Sequence, residues 1–270
     1  FSKFNSQTAW PLYYLKPNSF AVVRFSTIFV YLGCFSYYAS SLVVATFTYS
    51  GLWKLYQVFV NEYPKYTKQL AIAILFMPSV AFWGSGISKD SFMLAALGWF
   101  VYGFYSIVKK GGLGIFKNIA LMILGIYIMI CIKAFNFYVM AMCIGLWFSF
   151  EFIGKIKNNV LRVMLYPIIF SIVSVAGMFA FLYVSSLAGD TYSSVDGMLE
   201  HAVVVQQDLT RDAYGENSFD IGPFEPTLAG ISSKIPQATI AGLFRPFPWE
   251  ARNILMVISA AENIFLFFLT

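Results

Sequence analysis

The residues whose types and spacing suit chemistry are few. Lys89 and Asp90 are adjacent and follow a turn-rich stretch, Phe76-Met77-Pro78-Ser79-Val80-Ala81-Phe82-Trp83-Gly84-Ser85-Gly86-Ile87-Ser88. Its residue types predict one membrane helix ending, a tight turn at the water boundary, and the next helix starting. Trp83 suits the headgroup layer, and Gly84 and Gly86 permit a sharp turn. Ser88 is placed to cap the second helix, with Asp90 in its first turn near the positive end of the helix dipole. Two readings stand side by side. One is a well-capped helical hairpin; in the other, Lys89 and Asp90 face a polar site at the membrane surface.

The other candidates are ionisable residues near membrane depth, where charge is costly. Lys133 lies in a long apolar run, and either snorkels to headgroups or binds an anion in a cavity. Arg245 lies in Phe244-Arg245-Pro246-Phe247-Pro248-Trp249-Glu250. It anchors the start of a helix, or grips a lipid phosphate through its fork of donors. Glu250 is expected in the first turn of the last helix. Glu262 and Asn263 fall about 18 Å along that helix, near mid-bilayer, where a buried structural hydrogen bond is the expected role. Lys89, Lys133 and Arg245, with Asp90 and Glu250, suit a phosphate-bearing lipid such as a polyprenyl-phosphate sugar. The bases would hold the leaving phosphate and an acid would deprotonate the acceptor hydroxyl. His201 is the single histidine, which excludes a multi-histidine metal site and reads as structural or solvated. There is no phosphate loop and no nucleophile elbow, and nothing points to a particular cofactor.

The elements that must position these residues are helices in a membrane. Of 270 residues, 59% are hydrophobic and 11% charged, against about 25% charged in soluble domains. Aromatic residues make up 19%, which suits lipid-facing and interfacial surfaces. The net charge of +5 is scattered among apolar segments and does not argue for nucleic acid. The fold class is all-α and polytopic, with about seven transmembrane helices. Residues 1–35 read as an outer-face interfacial segment, in which 19–34 forms a half-buried helix interrupted by Arg24. Residues 36–186 form a six-span bundle, with spans near 36–60, 69–85, 90–108, 115–132, 136–154 and 160–186. The run 118–150 would make a helix of about 50 Å, too long for a bilayer. It must fold back, and Lys133-Ala134-Phe135-Asn136 is its polar interruption. Residues 187–248 form an acidic outer loop with short helices. One is capped by Ser194, lined by Met198, Ala202, Val205 and Leu209, and ends before Gly215. A second opens at Pro226 and closes before Pro236. Residues 249–270 form the last span.

Basic residues in short connections set the orientation. Lys54, Lys65 and Lys68 border one turn, Lys109, Lys110 and Lys117 a second, and Lys155, Lys157 and Arg162 a third. Alternating spans put all three on one side, expected to be cytoplasmic. The 83–90 turn, the 133–136 turn and the 187–248 loop share the other, periplasmic side of a bacterial inner membrane. Cys34, Cys131 and Cys143 lie in apolar sequence and read as buried free thiols. The start at Phe1 and the apolar end at Thr270 read as cuts through a longer chain.

The pattern Phe76-x-Pro78-Ser79-x-x-Phe82-Trp83-x-Ser85-Gly86-x-x-Lys89-Asp90 resembles a segment of membrane glycosyltransferases of the GT-C type. It is also similar to multi-span proteins of bacterial polysaccharide clusters, as is the 244–250 segment with the later Glu262-Asn263. The resemblance is specific over about forty residues and topological elsewhere. It implies sugar transfer from a polyprenyl-phosphate carrier at the outer face, with Asp90 matching the acid that begins a helix there. The sequence departs from the pattern in one respect. GT-C enzymes place their principal acid in the first outer loop, and here no Asp or Glu precedes Glu62. Either that acid lies upstream of Phe1 or the chain is a non-catalytic relative. The rival readings are a structural or assembly subunit packing lipids, pigments or neighbouring subunits, and a transporter or flippase for an anionic lipid.

Overall fold

Long apolar runs cannot leave backbone polar groups unpaired in lipid, so they form helices. In the computed structural model every long element is helical, and no strand occurs among the described residues, 17–110, 114–187, 195–209, 222 and 224–269. The helices are α1 (Pro17–Leu32), α2 (Tyr37–Glu62), α3 (Thr67–Leu75), α4 (Pro78–Gly84), α5 (Lys89–Tyr105), α6 (Ile115–Gly154), α7 (Asn159–Leu187), α8 (Val195–Leu209), α9 (Leu228–Phe244) and α10 (Ile254–Leu269). Among the described residues, three stretches are long and apolar enough to cross a membrane, Lys89–Lys109, Ile115–Gly154 and Asn159–Ala180. The number rises to five if each of two bent pairs is one span: Phe20–Leu32 with Tyr37–Glu62, bent by 111°, and Pro64–Leu75 with Pro78–Gly84, bent by 48°. The chain divides into two units, Phe1–Val173 and Ser174–Thr270, described separately.

In the first unit α5 is the axis. It carries more buried side chains than any other helix of the unit, among them Phe92, Ala95, Ala96, Trp99 and Phe100. Small residues let α2 lie against it: a Cβ added at Gly98 would run into the carbonyl oxygen of Gly51, and one at Gly51 into the backbone of Ala95. Close backbone approach of this kind drives helix pairing where lipid removes the hydrophobic incentive. The two helices run parallel. Thr48 Oγ1 donates to the Ser91 carbonyl at 3.1 Å near one end, and Tyr105 reaches Glu62 near the other. The intervening α3 and α4 return the chain.

Helix α6 has 40 residues, and Lys133 inside it is non-helical (φ −147°, ψ 82°). Its contacts show a reversal of direction. A Cβ at Gly103 would meet Asn118 and Met122, one at Gly125 would meet Ala96 and Phe100, and Lys133 reaches Asp90. The path then runs back along α5: Phe137 packs on Phe100, Phe148 on Phe104, and Glu151 lies beside Lys109. A straight helix of that length, about 60 Å, could not bring both of its ends to one end of α5. The fold-back predicted at 133–136 therefore occurs at Lys133, with no intervening loop. The first part of α7 runs back beside this second half, Tyr166 against Phe150 and Val173 against Gly145.

Helix α1 meets α2 at a sharp corner. Cys34 (φ 51°) and Phe35 (φ 61°) both adopt the left-handed region, a conformation that is strained for a residue as bulky as Phe. The corner keeps α1 off the α2 axis. It lays Phe25 and Phe29 on Phe92.

Several expectations need correction. Gly84 and Gly86 do not turn the chain through positive φ. Gly84 is buried, and a Cβ there would sit 3.2 Å from the Thr48 methyl, so its use is close packing. The cysteines are not core thiols. Cys34 and Cys143 are exposed and Cys131 is partly so, because an apolar stretch in such a chain faces outward as readily as inward. In the second unit, α9 does not close before Pro236 but runs through it to Phe244. Apolar helices absorb the lost backbone bond, as α7 also does at Pro167. Glu250 lies outside α10, in a 3-10 turn, Pro248–Glu250. The helix begins at Ile254, with Asn253 Oδ1 accepting from Met256 N at 2.8 Å. Ser194 lies outside the described residues, as do the side chains of Met198, His201, Val205 and Leu209.

Candidate functional site

The Asp90 end of the first unit is built by the turn between α4 and α5. Ser88 caps α5, accepting from Ser91 N at 3.2 Å. Ser91 is fully buried, and its hydroxyl lies 2.8 Å from the Trp83 carbonyl and 2.5 Å from that of Gly86. Thr48 accordingly donates to the Ser91 carbonyl from α2. A turn this well satisfied is rigid, and it fixes where Lys89 and Asp90 leave the helix. Sequence reasoning found Ser88 and missed Ser91 and Thr48, because Thr48 is one of three closely spaced hydroxyl residues, with Thr46 and Ser50, and nothing in the sequence picks it out as the partner of Ser91.

Asp90 lies in the first turn of α5, and Lys133 Nζ donates to its Oδ1 at 3.0 Å. The chain reversal at Lys133 is what turns that side chain toward α5. The pair is half exposed, with 43% of the Asp90 side chain and 33% of the Lys133 side chain accessible, so it remains open to exchange with another ion. α1, the following Phe35 and the α4–α5 turn line an open cavity of 660 Å³ that reaches Lys89, the residue before Asp90. Val22, Val30, Tyr31 and Ile87 form apolar walls, and Lys89 stands in the lining. Ser26 also lines it; its hydroxyl is buried with no hydrogen-bond partner among the described residues.

In the second unit Arg245 and Glu250 pair with each other, Arg245 Nε 3.2 Å from Glu250 Oε1. Glu250 Oε2 also accepts from Phe247 N at 3.0 Å. Glu250 thus closes the Pro-rich turn and has little freedom to act as a base. Asn263 Nδ2 donates to the carbonyls of Arg245 at 2.9 Å and Phe244 at 3.3 Å. It ties α10 to the end of α9. Glu262 is half-buried beside it on α10.

The opposite end of the first unit holds a cluster that sequence reasoning did not single out. Tyr105 Oη donates to Glu62 Oε1 at 2.8 Å, and Lys109 Nζ donates to the same oxygen at 2.9 Å. Glu151 Oε2 lies 2.9 Å from Lys109 Nζ, forming an ion pair on its other side. Trp147 stacks between Phe59 and Tyr105 above it. The signal was present: Glu151 sits between Phe150 and Phe152 in an apolar run, and an acid there requires a base.

No protein-family model, characterised protein or solved structure matches the chain.

Proposed function

We propose that the chain is a polytopic membrane protein that takes a phosphate-bearing polyprenyl lipid at its Asp90 end, in the manner of a GT-C-type glycosyltransferase. The observation that carries this reading is the apolar cavity with Lys89 in its lining and the Asp90–Lys133 pair next along the helix. An apolar slot beside a cation suits an amphiphile with an anionic head. The topology behind the reading has about seven spans, counting α2, α3 with α4, α5, both halves of α6, α7 and α10. In a bacterial inner membrane it puts the Asp90 end and the 187–248 loop on the periplasmic side, and the basic turns support that orientation.

A sugar-transfer step follows from these groups. The acceptor oxygen forms a bond to the anomeric carbon, and the bond from that carbon to the carrier phosphate breaks. The phosphate leaves with the electron pair and is held by Lys89 and Lys133, while Asp90 takes the acceptor proton. Lys133 is already the partner of Asp90. A bound phosphate competes for that lysine and leaves the carboxylate able to accept a proton.

The test is binding of a polyprenyl phosphate to the full chain in nanodiscs, with the uncharged polyprenol as reference. Lys89→Ala should weaken the phosphate about tenfold, a change of about 1.4 kcal/mol, and leave the polyprenol unchanged. Val30→Trp should fill the slot and weaken both. Equal phosphate affinity in Lys89→Ala would remove this site from the function.

A second reading, a packing subunit of a larger membrane complex, draws on α7. None of the residues in its most apolar window is buried within the chain, which leaves a long face for lipid or another subunit.

A further inference from the structure

The Asp90 end is not the sole place where a cation stands at membrane depth. Lys54 lies inside the apolar helix α2, eight residues before Glu62 and so about 12 Å from that end. A charge there calls for a counter-charge or for water. Among the described residues no carboxylate lies within ion-pair distance of Lys54, whereas Lys109, at the same end of the unit, has two. What Lys54 has is the Gln57 side-chain oxygen, 3.0 Å from Nζ, and the face of the Tyr102 ring, 4.3 Å from Nζ to the ring centroid. Both are neutral. They orient the ammonium group without cancelling its charge.

A cavity of 270 Å³ opens beside it, lined by Lys54, Tyr56, Gln57, Val60, Asn61 and Tyr102. Five of these six side chains carry a polar group. The Gln57 and Asn61 amides supply further donors, and the lysine supplies the charge. On the adjoining surface of α2, Tyr49, Trp53 and Tyr56 form an aromatic ladder, with ring centroids 6.1 Å and 5.3 Å apart. Tyr49 and Trp53 are exposed. Tyr56 lines the cavity itself, and a tyrosine suits headgroup depth, which brings the cavity to the level of lipid phosphates; Trp53 and Tyr49 lie successively farther from the Glu62 end, toward the acyl chains.

We propose that Lys54, Gln57 and Asn61 form an anion site for a phosphate ester, occupied by the headgroup of an anionic phospholipid in the leaflet at the Glu62 end. The lysine pairs with the phosphate, the two amides donate to its oxygens, and the acyl chains lie along the Tyr49–Trp53 ladder. The site shares no residue with the Asp90 end and stands or falls independently of the reading given there.

The test uses the full chain, purified in detergent, with lipid adducts counted by native mass spectrometry. Phosphatidylglycerol is the probe and phosphatidylcholine the reference. The unaltered chain should favour phosphatidylglycerol about tenfold, and Lys54→Gln should remove most of that preference. Lys54→Arg should keep it, as should Lys65→Gln, which removes an exposed lysine of the next turn. Asn61→Leu should weaken it with the lysine intact, and serves if Lys54→Gln fails to fold. Soluble glycerol phosphate at millimolar concentration should not displace the lipid; displacement would assign the site to a water-soluble phosphate and overturn the lipid assignment. The proposal is also overturned if the unaltered chain shows no preference, or if Lys54→Gln and Asn61→Leu both retain it.

Discussion

At the Glu62 end of the first unit, one lysine sits between two carboxylates and a tyrosine hydroxyl, and all of these groups are mostly shielded. At the Asp90 end, one lysine meets one carboxylate with a third or more of each side chain accessible, and a large apolar cavity opens beside them. Both ends join α5 to α6, so the difference is not one of topology. A charge network with its members shielded from water is costly to disturb, because removing one partner strands the others. An accessible pair contributes little to stability and exchanges readily with other ions. The closed end therefore reads as a clamp and the open end as the place where a ligand can enter.

The strongest way to break this comparison is to remove the clamp's cation. Lys109→Met leaves Glu62 and Glu151 facing each other, and should cost about 3 kcal/mol, read as a fall in thermal midpoint of the purified chain. A change below about 1 kcal/mol would make the two ends equivalent. Gly98→Ala is the next in size. It lies between the ends, where the new methyl would meet the Gly51 backbone, and should cost about 2 kcal/mol by forcing α2 away from α5. It should loosen both ends alike, with hydrogen exchange rising around Ser91 and Tyr105 together. Exchange rising at one end alone would show that the ends are not coupled through this contact.

Much of the first unit was legible because membrane helices obey a length rule. The 118–150 run was too long for one crossing, and its lone polar interruption marked the reversal at Lys133. Ser88 announced its cap and Asp90 its place in the first turn. The pairing of Asp90 with Lys133 was not legible, though both were candidates. It depends on the backbone angles at Lys133, and no residue type dictates those. The clamp was missed for a different reason. Lys109 was read only as the border of a turn and Glu151 was not singled out, and only the hairpin in α6, followed to its end, brings 151 back to 109. In the second unit, proline misled twice. Pro236 suggested a stop and Pro248 a start, yet α9 runs through the first and α10 begins after Asn253. Arg245 was read either as an anchor of the helix start or as a grip on a lipid phosphate, and its pairing with Glu250 across the turn was not foreseen.

The smallest effect on stability belongs to Asp90→Asn, and it sharpens the comparison most. The substitution keeps the shape and leaves Ser88, which caps α5, untouched. It removes the charge from an accessible pair and should shift stability by less than about 1 kcal/mol. The freed Lys133 then has no carboxylate to hold it, and an anionic headgroup gains a cation without having to compete for it. Binding of a polyprenyl phosphate should therefore tighten slightly or stay constant. Sugar transfer from that carrier should be lost, because the amide cannot take the acceptor proton. Affinity and turnover move apart only if Asp90 does chemistry in the site it borders. If turnover persists while binding tightens, the carboxylate is a gate for the lysine and not a base. If both fall together with the thermal midpoint, the Asp90 end is a second clamp, and the contrast between the two ends disappears.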